Sequence, residues 1–189
     1  MKEWWQKLWS IPSRRWLLGI PAGGFVALLI GAAGLGSVNW IVHETSSNEF
    51  CFSCHSHEVN VRPDYEASSH FANASGVRAQ CADCHLPHDS WLDLMVTKVI
   101  VSADIIPEVM GKVDTPEKWE AHRQEMAESV WADFREDDSR FCRSCHLREA
   151  MTGQSKMATR VHEMAGKSGK TCIDCHKGLV HKLPEIAKQ

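Results

Sequence analysis

Residues 50–57 read FCFSCHSH, and residues 81–85, 142–146 and 172–176 read CADCH, CRSCH and CIDCH. Cys51, Cys54, Cys81, Cys84, Cys142, Cys145, Cys172 and Cys175 are all the cysteines of the chain, and every pair is followed directly by a histidine: His55, His85, His146 or His176. C-x-x-C-H is the attachment signature of c-type haem, in which both thiols become thioethers and the histidine ligates the iron. Zinc ribbons also pair cysteines two apart, but a four-cysteine site has no use for a histidine after each pair. A disulfide framework suits an oxidising compartment yet leaves all four histidines unexplained. The four blocks therefore predict four covalently bound haem c groups.

Upstream, residues 16–42 carry no charged side chain, enough at about 1.5 Å per residue to cross a hydrocarbon core of roughly 30 Å. Lys2, Lys7, Arg14 and Arg15 precede this span against one acid, Glu3, so the positive-inside rule predicts a cytoplasmic N-terminus and an external remainder. The stretch is longer than the core of a cleaved signal peptide, and an uncleaved single-pass anchor is expected. Trp4, Trp5, Trp9 and Trp16 have the character of an interfacial belt on an amphipathic segment, residues 1–15, lying on lipid. Ala27 with Gly31, and Ala32 with Gly36, have the small-residue spacing that lets membrane helices meet, a hint of a homo-oligomer. Formal net charge is −3, and beyond the first fifteen residues no basic cluster offers a footprint for nucleic acid.

Residues 43–189 serve four haems, so porphyrin must supply most of the apolar core. The motifs fall 30 positions apart (Cys51 to Cys81), then 61, then 30 again (Cys142 to Cys172), and Phe50 and Phe141 open the two blocks alike. This reads as two related dihaem halves, about 43–110 and 136–189. Each half has a histidine between its motifs and another after the second: His70 and His88, then His162 and His181. These four are the candidate distal iron ligands. Thr115-Pro116-Glu117 starts a helix expected over about 115–135, on whose apolar face His122 packs with Trp119, Met126, Val130 and Phe134. Residues 91–135 are helical by pattern, broken near Pro107 and Gly111, with apolar faces expected to cover haem edges. His43 sits at the membrane exit. No strand is expected: the fold class is mostly α with much irregular loop, a single N-terminal transmembrane helix plus a compact multihaem domain.

SGVRAQCADCHLPH (75–88), DTPEKWEAHR (114–123) and TCIDCHKGLVHKLP (171–184), with the anchor and the motif spacing, resemble the NapC/NirT family of membrane-anchored tetrahaem cytochromes over nearly the whole chain. The resemblance implies a quinol dehydrogenase of the bacterial inner membrane. Such a protein takes electrons from the menaquinol or ubiquinol pool and hands them to a periplasmic reductase, such as one for nitrate, or to its small cytochrome subunit. It further implies His70 and His181 as distal ligands of haems four and three. At the second haem, Lys98 is implied by an NrfH-like arrangement and His88 or His162 by a NapC-like one. Many relatives carry methionine two residues after the first motif histidine. This chain has His57 there, so either His55 or His57 ligates the first iron, and imidazole in place of thioether lowers its potential.

Quinol oxidation releases two protons, which calls for a proton acceptor beside a haem at membrane depth. Lys98 and Asp104 follow the second motif on an expected helix, and the resemblance implies that they lie at the quinol pocket. Asp104 is the expected acceptor and Lys98 a hydrogen-bond donor to quinol or an iron ligand. Two other readings remain open: a terminal reductase binding a small oxyanion at an open iron, and an electron-wiring subunit that never meets quinol.

Overall fold

The computed structural model describes residues 2–12 and 18–185; Arg14, Arg15 and Trp16 of the basic, aromatic N-terminal segment and the start of the expected span lie outside them. The chain divides into two units, Met1–Thr45 and Ser46–Gln189.

In the first unit, α1 (Lys2–Trp9) packs on α2 (Ala22–Glu44). Trp5 and Trp9 lie with ring centres 5.8 Å apart, and a Cβ on Gly23 would come within 2.9 Å of the Trp9 ring, so only glycine admits this approach. The membrane-length helix starts at Ala22, later than residue 16. Leu18 and Gly19 both have positive φ, and Pro21, in extended conformation at the N-cap, has no N–H to extend the helix backwards. The 23 residues of α2 have a mean hydropathy of 1.9 in their most apolar window, and the first charged side chain is Glu44 at the end.

The second unit is a set of short helices joined by loops, with no strand among the described residues. Its order is α3 (Asn48–Cys51), α4 (His55–Asn60), α5 (Arg62–Glu66), α6 (Cys81–His85), α7 (Trp91–Val101), α8 (Ile105–Val109), α9 (Pro116–Glu136), α10 (Arg140–Cys145), α11 (Lys156–Lys167) and α12 (Cys172–Cys175). The long α9 begins with Thr115 Oγ1 accepting the Lys118 N–H and Pro116 in the first turn. Gly111, at φ +67°, ends the preceding segment, with the Lys112 N–H returning to the Pro107 carbonyl. Among the described residues the buried hydrophobic side chains are Tyr65, Val113 and Ile173. A unit of this length normally buries most of its surface; three such residues are far too few to hold it. Polar ties carry part of the load. Buried Arg123 on α9 donates to Asp64 on α5 (3.3 Å) and to the Lys182 carbonyl (3.1 Å), while the Lys182 N–H donates to Asp64 (2.8 Å).

Helix α7 is apolar on both sides. Leu92, Val96, Val99 and Ile100 are 66, 51, 73 and 66% exposed, and at about 100° per residue they share one side of the helix. Leu94, Met95 and Lys98 occupy the less exposed opposite side.

Candidate functional site

Three motifs are built alike. In α6, α10 and α12 the C-x-x-C pair is wound into a helical turn whose end presents the histidine; the His146 and His176 N–H groups return to the Cys142 and Cys172 carbonyls at 2.8 and 2.9 Å. Helices α6 and α12 also share a start. Gln80 with Asp83, and Thr171 with Asp174, form reciprocal capping boxes. The Thr171 N–H holds the Asp174 carboxyl below the usual carboxylate range, aided by Arg135 at 2.9 Å. Ser139, in left-handed conformation (φ 52°) and fully buried, opens α10 instead.

Each of these histidines faces a second imidazole. Ring centres lie 6.2 Å apart for His85 and His181, 6.1 Å for His146 and His70, and 6.1 Å for His176 and His162. Two metal–nitrogen bonds of about 2 Å, plus the half-width of each ring, set imidazole centres roughly 6 Å apart across an iron. Burial lowers the pKa of His85, and burial followed by His85 takes His181 to about 4, yet both rings are solvent-accessible. The two rings are thus closely surrounded by protein atoms while still touching water. Both imidazoles are then neutral, the form that binds metal. The His70 Nδ1 is buried with no hydrogen-bond partner. His162 donates from Nδ1 to Gln154 Oε1 at 2.8 Å, which leaves Nε2 for its partner.

These pairs differ from those the resemblance implies. His70 stands against the third motif and His181 against the second, and it is His162 that stands against the fourth. His88 faces no motif histidine: its Nε2 bonds the Asp83 carbonyl at 3.2 Å and its ring edge lies on Phe141. Lys98 is close enough to Cys51 for the two charges to interact, while burial lowers its ammonium pKa. At the second motif the imidazole brought to His85 is His181, and neither of the histidines expected there, His88 and His162, faces it.

The first motif is built otherwise. Cys51 ends α3 and Cys54 caps α4, so the helix breaks inside the motif and His55 becomes the first residue of the next helix. His55 is exposed, near enough to Asp114 to add to the Lys118 hydrogen bond that lowers that carboxyl. His57 turns back, with Nδ1 3.1 Å from the Cys51 carbonyl and its ring edge-on to Trp119 at 5.9 Å. Neither has a facing imidazole among the described residues. Asp104 is exposed and sits close enough to His85 to influence its pKa. Sequence reading passed over Glu108, whose Oε1 accepts the Ser56 N–H at 3.2 Å and whose Oε2 is buried without a partner beside Cys54. It passed over Gln154 as well, since no spacing marks a glutamine eight residues before a histidine as its orienting partner.

The four attachment sites adjoin in chain order. The Cys51 and Cys81 thiols hydrogen-bond each other, which lowers Cys51 to about 7 and raises Cys81. Helix α6 touches α3 on one side and α10 on the other. Cys84 lies close enough to Cys145, and Cys142 to Cys172, for their charges to act on one another. Facing imidazoles beside cysteine pairs, in a unit with little core of its own, fit covalently held haem. Among the described residues no three His, Cys, Asp or Glu side chains converge to hold a metal ion.

Comparison with known proteins agrees. Residues 15–186 match the NapC/NirT cytochrome c family, N-terminal region. The chain belongs to this family. It is 41% identical over 188 residues to the cytochrome c-type protein NapC of Escherichia coli, covering 98% of this chain and 92% of that protein. Identity is 45% over 177 residues to the denitrification system component NirT of Stutzerimonas stutzeri, 92% of this chain and 86% of NirT. Against the cytochrome c-type protein TorY of Haemophilus influenzae it is 50% over 159 residues, 83% of this chain; the chain spans only 43% of TorY. No solved structure matches. As a NapC/NirT cytochrome c the chain binds haem c covalently and transfers electrons, and its one apolar N-terminal helix accords with a single-pass membrane anchor.

Proposed function

We propose that this NapC/NirT-family chain oxidises quinol at the outer face of the cytoplasmic membrane and passes the electrons through four haems to a periplasmic reductase. The observation that carries the reading is the contrast among the motifs. Three have a facing imidazole, and the one that lacks it begins six residues after Thr45, the last residue of the membrane unit. Four haem c groups, when bound, supply one-electron carriers; the protein supplies everything else. The eight cysteines would tether them, and His85 with His181, His146 with His70 and His176 with His162 would hold the iron at sites two to four. His55 or His57 would hold it at the first site, which has no second imidazole among the described residues and is the one where substrate would approach. There Lys98 donates a hydrogen bond to a quinol oxygen and Asp104 accepts a proton as the quinol is oxidised. The N-terminus faces the cytoplasm, so the tethered unit lies in the periplasm.

The test is direct. Asp104→Asn is expected to slow haem reduction by a quinol analogue while dithionite still reduces all the haem. Unchanged quinol kinetics would overturn the role of Asp104, and no reduction of the wild-type protein by any quinol analogue would overturn the reading itself.

A further inference from the structure

Charge is distributed very unevenly along the second unit. Residues 46–139 hold eighteen Asp and Glu against seven Lys and Arg, whereas residues 140–185 hold nine Lys and Arg against four Asp and Glu. Part of the basic excess is consumed locally: Arg140 pairs with Asp89 and Asp137, Arg143 with Asp138, and Lys177 lies over the Trp131 ring. The basic residues of α11 are different. Among the described residues, Lys156, Arg160 and Lys167 make no ion pair, and all three are exposed.

Their position on the helix matters. Helix α11 carries His162, which faces His176 at the fourth motif. At about 100° per residue, Lys156, Met157, Arg160, Met164 and Lys167 fall within one arc of roughly 100° centred opposite His162. Met157 and Met164 are 69 and 54% exposed, and because they point away from the His162 side, the fourth haem does not cover them. The outer face of α11 is therefore a stripe of adaptable thioethers edged by three cations, one helix diameter from the imidazole pair.

We propose that this stripe is the surface on which an electron-accepting protein with an acidic face docks. The inference rests on the proposed direction of electron flow. One electron leaves the chain through the fourth site and reduces the oxidised centre of the partner by one. A lipid surface would also attract cations beside apolar groups. The attachment sites, however, adjoin in the order one to four, and the first follows Thr45 by six residues, so the fourth is the end of the row most distant along it from the apolar helix, and a protein acceptor is the occupant we argue for. Charge complementarity of this kind acts mainly on the association rate.

Holoprotein in detergent, pre-reduced with dithionite and freed of excess, is mixed by stopped flow with plastocyanin (acidic face), mitochondrial cytochrome c (basic face) or tris(phenanthroline)cobalt(III). The charge-reversed variant Lys156→Glu, Arg160→Glu, Lys167→Glu and its neutral counterpart with glutamine at the same positions are compared with wild type. At low salt, reversal is expected to slow oxidation by plastocyanin about 10-fold or more, and neutralisation by less. Oxidation by cytochrome c should quicken and that by the cobalt complex stay within about twofold. Equal plastocyanin rates in all three proteins overturn the proposal, as does a change confined to sedimentation with anionic phosphatidylglycerol vesicles. Because dithionite loads the electrons, a failure of quinol to reduce the protein sinks the quinol reading and leaves this result intact.

Discussion

The first motif and the other three share five letters and little else. In α6, α10 and α12 the helical turn runs through the cysteine pair, and the histidine leaves its end toward a second imidazole about 6 Å away. At Cys51–His55 the helix stops at the first cysteine and restarts at the histidine, which has no facing imidazole among the described residues. The five letters of a motif thus do not by themselves fix the helix boundary around it, and only where the turn runs through the cysteine pair does the histidine meet a second imidazole among the described residues.

The comparison can be broken at either side. The largest effect is expected from His181→Ala, which removes the imidazole facing His85. One haem more than in the wild type should become five-coordinate and bind carbon monoxide, and electron flow from quinol to an acceptor should fall on the order of 100-fold. A variant that binds no more carbon monoxide than the wild type would deny the pairing. Next, Asp104→Asn should slow quinol-driven reduction by about 100-fold without altering the spectrum. His57→Met, which probes the first site alone, should raise one haem potential on the order of 100 mV if His57 ligates that iron, with the other three waves unmoved in a redox titration. A smaller change is expected for Gln154→Ala. His162 loses the acceptor that orients it, at a cost of about 1 kcal/mol, seen as a fall in Tm of a few degrees. Smallest is the acid response of the α12 start. The folded pKa of Asp174 lies below its unfolded value, so its stabilisation is complete above the ordinary carboxylate range and is lost as pH falls through the lowered value. Asp174→Asn should leave Tm less dependent on pH between neutral and about pH 3 than in the wild type.

What could be read before the structure was chemistry written in adjacent residues: the cysteine pairs, the histidine after each, the uncharged span. What could not was chemistry assembled at a distance. His88 and His181 occupy similar places after the second motif of each half, yet the Asp83 carbonyl takes the Nε2 of one and His85 faces the other. Counting histidines bounds how many ligands exist and is silent on which ring meets which. Helices α6 and α12 have matching capping boxes, whereas the first and third motifs differ: Ser139 in left-handed conformation opens a continuous α10 that has no counterpart at Cys51.

The tie of Asp64, Arg123 and Lys182 holds the segment around Lys182 against α5, and with it His181 against His85. Synthesis proceeds from the N-terminus, so His146 and His176 emerge to find His70 and His162 already made, whereas His85 is made long before the imidazole that faces it. The pairs are thus not assembled in the order of the motifs, and a ribosome that stalls before His181 releases a chain whose second motif has a single imidazole.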